Sequence, residues 1–373
     1  MKPATLRVWS TVHTWTSLVC TAFLLMLCIT GLGMIWLSDL DAKFAAHPRV
    51  SQGPTVTRPA DLDAMFAKAE SLRPGERVTY ADWAFEGDLI GVNMAKADDQ
   101  KKRTRQLVFD ARNGAYLEDT HKDNPNQPMR VFLRTINRLH IEMFAGLPGE
   151  YFLAAMTTLF VIATVSGVVL YGPFTRKLGF GVVRADKSPR ARWLDIHNLV
   201  GIATVGWVLV VSITGIMNAF TVPAYAAWRK AALPALVAPF KHRPPLAETV
   251  GPMKALDVAQ SAVPGSRMVR IVTPGARDGS PRHYVVWTEG AANVTKKLFR
   301  PVLVDAATAE VVLSSPPPWW LSALQLSRPL HFGNYGGAPL KVLWTLLDLT
   351  AIVILGSGIY LWVARRRWRL ADA

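Results

Sequence analysis

Four histidines stand at the edges of apolar runs: His13 in STVHTW, His140 in RLHIEMFAG, His197 in LDIHNL and His331 in PLHFGNYGG. An ionisable ring at the edge of a membrane span is costly without a partner, which makes each a functional candidate. Zinc or a di-iron centre would need further Cys, Asp or Glu ligands at helical spacing. Glu142 is the only carboxylate within a few residues of His140 or His331, and Asp195 the only one beside His13 or His197. Two neutral imidazoles alone are the minimum for a low-spin haem, whose porphyrin supplies the other four ligands to iron. The chain has no C-x-x-C-H for covalent attachment, so such haem would be held non-covalently.

These histidines are positioned by four apolar runs. Residues 14–38, 151–171, 196–225 and 342–364 each reach the roughly 20 residues needed to cross a hydrocarbon core, and only Asp348 interrupts them with a charge. Half of the 373 residues are hydrophobic, and the net charge is +15. Lys2 and Arg7 precede the first run, Arg176, Lys177, Arg184, Lys187, Arg190 and Arg192 fill the connection after the second, and Arg365, Arg366, Arg367 and Arg369 follow the fourth. Basic residues so placed follow the positive-inside rule, which puts these three segments in the cytoplasm. That explanation displaces nucleic acid as the partner of the positive charge and leaves a lipid bilayer. The first run is too long for the apolar region of a cleaved signal peptide and is read as a retained anchor. Cys20 and Cys28 lie roughly 12 Å apart along one helix, too far to form a disulfide.

The chain repeats itself. Trp9 precedes His13 by four residues and Thr30-Gly31 follows by 17 and 18; Trp193, His197 and Thr214-Gly215 have the same spacing. After His140, Gly146 falls at +6 and Ser166-Gly167 at +26 and +27, as do Gly337 and Ser357-Gly358 after His331. The long connections also correspond: helical stretches at 61–72 and 253–263 lead into alternating strands and then into strand-turn-strand segments at 106–119 and 300–315. An Asn-Gly in the first of these supports a hairpin. The expected organisation is a cytoplasmic N-terminus and first span (1–38), an extracytoplasmic α+β domain (39–137), a second span (138–172), a basic cytoplasmic loop (173–194), a third span (195–225), a second α+β domain (226–330), and a fourth span with a basic tail (331–373). The result is an α-helical membrane protein with an internal two-fold repeat whose copies insert in the same orientation. His13 and His197 then lie near the cytoplasmic face, and His140 and His331 near the outer one.

Other residues serve this arrangement. Ser17, Gly201, Gly146 and Gly337 are small enough to leave room for a flat macrocycle, and Arg7, Arg190 and Arg192 on the inside and Arg134, Arg138 and Arg328 on the outside are available to its propionates, or to topology alone. Trp319, Trp320 and Tyr335 flank His331 either as an interfacial aromatic belt or as contacts for a substrate. Asp348 is either a neutral, hydrogen-bonded carboxyl or a proton-coupling group. His47, His121, His242 and His283 lack paired spacing and are read as surface residues. No G-x-G-x-x-G opens a helix after a strand, so electrons would come from another protein, a quinol or a small reductant.

The segments RLHIEMFAG, DIHNLVG with SITGIMNA, and PLHFGNYGG…LWTLLDL…GSGIYLW resemble the span signatures of the PepSY-associated transmembrane helix family, and within it the FoxB-type inner-membrane ferric-siderophore reductases. The resemblance covers the whole chain. It implies PepSY-like periplasmic domains and two b-type haems, one on His13 and His197 and one on His140 and His331. It further implies delivery of an electron to Fe(III) in a periplasmic siderophore, for which a hydroxamate is the expected class. Two other readings stand beside it: a quinol-linked haem electron carrier, and a non-enzymatic protein whose outer domains bind or inhibit a protease.

Overall fold

The computed structural model describes residues 2–44, 56, 58–84, 88–96, 103–120, 128–175, 179–237, 246, 248–276, 280–291, 295, 298–314 and 316–371. His47, His121, His242, Arg176 and Lys177 lie outside them. Two compact units result, one made of residues 1–41, 129–221 and 327–373 and the other of residues 42–128 and 222–326.

The first unit is built on α1 (Pro3–Ile35), α5 (Leu147–Thr175), α6 (Pro189–Ala219) and α10 (Gly337–Ala371). Pro3 opens α1 at a position where its missing N–H costs nothing. The Ser188 side chain accepts from Ala191 N at the start of α6. At about 1.5 Å per residue, the 33 residues of α1 extend roughly 50 Å, longer than a bilayer core. All four helices are long and apolar enough to cross a membrane. Each leaves large apolar side chains on its outer surface, among them Val19, Ile29, Ile162, Val165, Val210, Ile213, Leu346 and Val353. Water does not favour such a surface, so the unit is that of a multi-pass membrane protein. The helices form a closed ring, with α1 packed on α5, α5 on α6, α6 on α10 and α10 back on α1. The diagonals are therefore α1 with α6, and α5 with α10.

The outer histidines are not on the spans they were expected to begin. His140 ends α4 (Pro128–Glu142) and His331 ends α9 (Trp319–Phe332). Between α4 and α5, Met143 and Phe144 adopt φ of 48° and 61°, followed by Gly146 at 64°; Gly333 and Gly337 adopt 64° and 67° between α9 and α10. Left-handed residues in succession stop an α-helix. Gly146 and Gly337 thus sit at the breaks between helices, where positive φ suits glycine.

At the other end of the bundle, the buried carboxylate of Asp195 accepts from the backbone N of Arg184 at 3.0 Å and from its Nε and Nη2 at 2.9 and 2.8 Å, tying the 179–188 segment to α6. Asp195→Ala is expected to lower the unfolding midpoint in detergent by several degrees, because three charge-assisted bonds go at once. Asp186→Ala, whose carboxylate is exposed, should leave it unchanged, as thermal scans would show.

In the second unit the two long connections do not make two separate domains. Strands β1 (Glu76–Ala84), β2 (Leu89–Lys96), β3 (Arg103–Asp110), β4 (Tyr116–Thr120), β5 (Ser266–Val272), β6 (His283–Gly290), β7 (Phe299–Asp305) and β8 (Val311–Leu313) form one antiparallel sheet in the order β4-β3-β2-β1-β5-β6-β7-β8. The halves join where Tyr80, Ala81 and Asp82 pair with Val272, Ile271 and Arg270, and Arg270 Nε donates to Asp82 Oδ1 at 2.5 Å. Joining edge to edge removes two exposed strand edges, a burial no hydropathy pattern announces. Helices α3 (Leu62–Leu72) and α8 (Pro252–Ala262) cover one face over a single core that includes Leu62, Met65, Phe109, Leu256, Ile271 and Val286. The 106–119 and 300–315 segments are the β3–β4 and β7–β8 hairpins, with Gly114 and Ala309 both at positive φ. His283, expected at the surface, is fully buried on β6 with Nδ1 at 2.7 Å from Ser280 Oγ, because its strand is interior to the sheet.

Candidate functional site

The four histidines meet as two pairs, one joining α1 to α6 and the other α4 to α9. His13 of α1 and His197 of α6 have ring centroids 6.4 Å apart with planes at 77°; His140 and His331 stand at the same 6.4 Å with planes at 62°. Two imidazoles bound on opposite sides of one first-row metal, each at about 2 Å, bring their ring centres roughly 6 Å apart. Both pairs have that spacing.

The second ring nitrogen of each histidine is engaged. His13 Nδ1 lies 2.8 Å from Ala163 O and 3.2 Å from Ser166 Oγ; His331 Nδ1 lies 2.9 Å from Val211 O and 3.4 Å from Thr214 Oγ1. A carbonyl only accepts, so these two rings carry their proton on Nδ1. His140 Nδ1 is 2.8 Å from Thr30 Oγ1, and His197 Nδ1 is 2.8 Å from Ser357 Oγ. Each of these hydroxyls already donates to its own helix, Thr30 to Met26 O at 2.7 Å and Ser357 to Ile354 O at 2.9 Å, and so accepts from the ring. All four histidines are therefore Nδ1–H tautomers with the Nε2 lone pair left for a metal. This is the orientation that outer hydrogen bonds impose on metal-ligating imidazoles.

The glycine after each hydroxyl completes the seat. A Cβ on Gly167 would meet His13 Cε1 at 3.2 Å, and one on Gly215 would meet His331 Cε1 at 3.1 Å; the corresponding distances are 3.6 Å for Gly31 to His140 and 3.7 Å for Gly358 to His197. Thr30-Gly31, Ser166-Gly167, Thr214-Gly215 and Ser357-Gly358 each hold one histidine, always from a different helix. The repeat spacing had flagged these dipeptides without assigning them a partner, because spacing along one helix does not reveal what faces it.

The inner pair lines a cavity of about 370 Å³ bounded by α1, α5, α6 and α10. Ser17 and Gly201 border it as expected, and so do Asn198, Tyr171, Phe174 and Trp362. Its cations are Arg190 and Arg365; Arg7 and Arg192 are exposed on α1 and α6 and are not among its lining residues. At the outer pair, Arg138 Nε donates to Glu142 Oε1 at 2.6 Å and Arg328 is exposed. Trp344 packs against Gly333, two residues after His331, and meets Trp207 edge-on with centroids 6.5 Å apart. Both indole N–H groups are buried with no hydrogen-bond partner among the described residues. Tyr335 stacks edge-on to Trp344 at 6.2 Å, and Trp319 and Trp320 are exposed in the first turn of α9.

The donor set suits haem. Among the described residues, no three or more of His, Cys, Asp and Glu gather as a metal cluster, so each site offers two imidazoles. Its surroundings are apolar and helical, with small residues against the rings and arginines at the margin of the inner cavity. A family model described as PepSY-associated TM region matches residues 10–365. The chain is also similar to an uncharacterised protein of Pseudomonas aeruginosa, at 26% identity over 249 residues. That match covers 61% of this chain and 62% of the other.

Proposed function

We propose, from the premise that this chain belongs to the PepSY-associated TM-region family, that it carries electrons across a bacterial inner membrane to ferric iron in a periplasmic siderophore through two b-type haems. The observation that carries the reading is the pair of facing histidine couples, each at 6.4 Å, within the unit that holds the four apolar helices. Bound haem supplies reversible one-electron Fe(III)/Fe(II) exchange. His13 and His197 would hold one haem and His140 and His331 the other. The carbonyls of Ala163 and Val211 and the hydroxyls of Thr30 and Ser357 fix the tautomers, and Arg190 and Arg365 stand where propionates of the inner group would be neutralised. The apolar helices around both histidine pairs would limit access of water, and burial and hydrogen bonding to the ligands would tune the potential.

The basic segments at 2–7, 176–192 and 365–369 favour cytoplasmic termini by the positive-inside rule, which would make the long connections at 39–137 and 226–330 periplasmic. A quinol, another protein or a small reductant supplies the electron. FoxB-type specificity follows the motif resemblance. Hydroxamates bind Fe(III) through hard oxygens, and one electron yields the less highly charged Fe(II), which they hold more weakly.

The protein reduced with dithionite should be reoxidised by ferrioxamine in anaerobic stopped-flow mixing, with Fe(II) appearing on a ferrous chelator. The gallium analogue should leave it reduced. Rapid exchange with a soluble quinone, and no acceleration by the ferric siderophore over buffer, would instead establish the quinol-linked carrier.

A further inference from the structure

Asp348 is the one carboxylate within the four apolar runs 14–38, 151–171, 196–225 and 342–364, and the electron path described above does not use it. It lies midway along α10, 7% exposed, with the Cys28 thiol of α1 beside its carboxyl group. Its Oδ2 is buried and has no hydrogen-bond partner among the described residues. Gly31, one turn beyond Cys28 on α1, separates it from the outer histidine pair: a Cβ there would stand 3.4 Å from Asp348 Oδ2 and 3.6 Å from His140 Cε1. The same turn of α1 therefore carries Cys28 against Asp348, Thr30 on His140 Nδ1, and Gly31 between the two groups.

An ionised carboxyl in such surroundings needs a counter-charge. The elements packed on α10 are α1 and α6. Cys28 is the titratable group that α1 presents here. Asp39, just past the end of α1, is paired with Lys341 of α10. Helix α6 has no charged residue between His197 and Ala219. From α4 and α9 come His140 and His331, with Arg138 committed to Glu142 and Arg328 exposed. Among the described residues, Lys341 and Arg138 are paired, Arg134 of α4 is engaged in an interaction of its own and Arg328 is exposed, so none of these cations is free to face Asp348. Ferric iron between His140 and His331 would bring the positive charge that is missing, and one added electron would cancel it.

We propose that Asp348 is a proton-binding site coupled to the outer histidine pair, ionised while iron held by His140 and His331 is oxidised and protonated when that iron is reduced. The step adds one electron to iron and forms one O–H bond at Asp348. The electron comes from the reductant and the proton from water. This rests on the two-haem reading and assigns that site a regulation: the driving force for electron delivery from the outer centre depends on pH.

The test is potentiometric titration of the haem-loaded full chain at a series of pH values, with His13→Ala used to identify the outer centre. The outer midpoint potential should fall by up to about 59 mV per tenfold drop in proton concentration, the value for one proton per electron. Asp348→Asn should flatten that slope while both bis-imidazole spectra persist. Asp348→Glu should retain a slope, and Glu142→Gln should leave it unaltered. Redox-difference infrared spectra of the unmodified chain should show a protonated carboxyl appearing on reduction, a readout that does not require Asp348→Asn to fold. A flat outer slope in the unmodified chain, an unchanged slope in Asp348→Asn, or reduction without a carboxyl signal would overturn the proposal and leave the two-haem reading standing. A chain that takes up no haem would overturn both.

Discussion

His331→Ala is expected to leave the protein with one haem where the unmodified chain is expected to bind two, and His140→Ala should give the same product. His13→Ala and His197→Ala should also bind one haem, with a spectrum and potential distinct from the first two and identical to each other. The reason is the pairing: each histidine faces its partner on another helix at 6.4 Å, so removing either imidazole would dismantle the same centre. Acid-acetone extraction and a pyridine haemochrome assay measure stoichiometry, and redox titration separates the centres. Haem that stayed with the polypeptide, or a grouping of His140→Ala with His197→Ala, would contradict the assignment. Absence of haem from the unmodified protein would return the family's non-enzymatic reading, in which the outer unit binds or inhibits a protease.

Valine at Gly167 or Gly215 should approach the effect of losing a ligand. A Cβ at these positions already meets the ring carbon of His13 at 3.2 Å and of His331 at 3.1 Å, tighter than ordinary van der Waals contact, and valine adds two methyl groups. The ring must move, and with it goes an Nδ1–H bond to Ala163 O or Val211 O. Loss of such supporting bonds weakens metal binding by about 10–100-fold, and displacement of the ring adds to this. Gly167→Val should deplete the inner haem and Gly215→Val the outer one. Gly31→Ala and Gly358→Ala, at 3.6 and 3.7 Å, should retain both haems, as should Gly206→Ala, where nothing lies within 4 Å. Haem per polypeptide after purification reads the series. Equal retention across all five variants would show that the glycines do not seat the ligands.

Hydropathy and spacing along the chain determined a good deal of this protein. Apolar runs longer than a bilayer is thick marked the four spans, since membrane insertion is a property of a local segment. Recurrence of Trp, His and Thr/Ser-Gly at fixed separations marked the histidines as related, and Asn113-Gly114 marked a hairpin because turn chemistry is also local. The resemblance in those motifs anticipated the family match. What only the tertiary structure decided was which side chains face one another. The Thr/Ser-Gly dipeptides acquire their role from the histidine of a neighbouring helix, and that depends on the cyclic order and rotation of packed helices. Two non-glycine residues take left-handed conformations at Met143 and Phe144, so the break that places His140 outside its span carried no turn signature of its own. The two α+β segments fuse because β1 and β5 are complementary edges, a relation between strands nearly two hundred residues apart. Arg190 and Arg365, rather than Arg7 and Arg192, border the inner cavity, because at a helix end a change of one or two residues turns a side chain from the bundle to its surroundings.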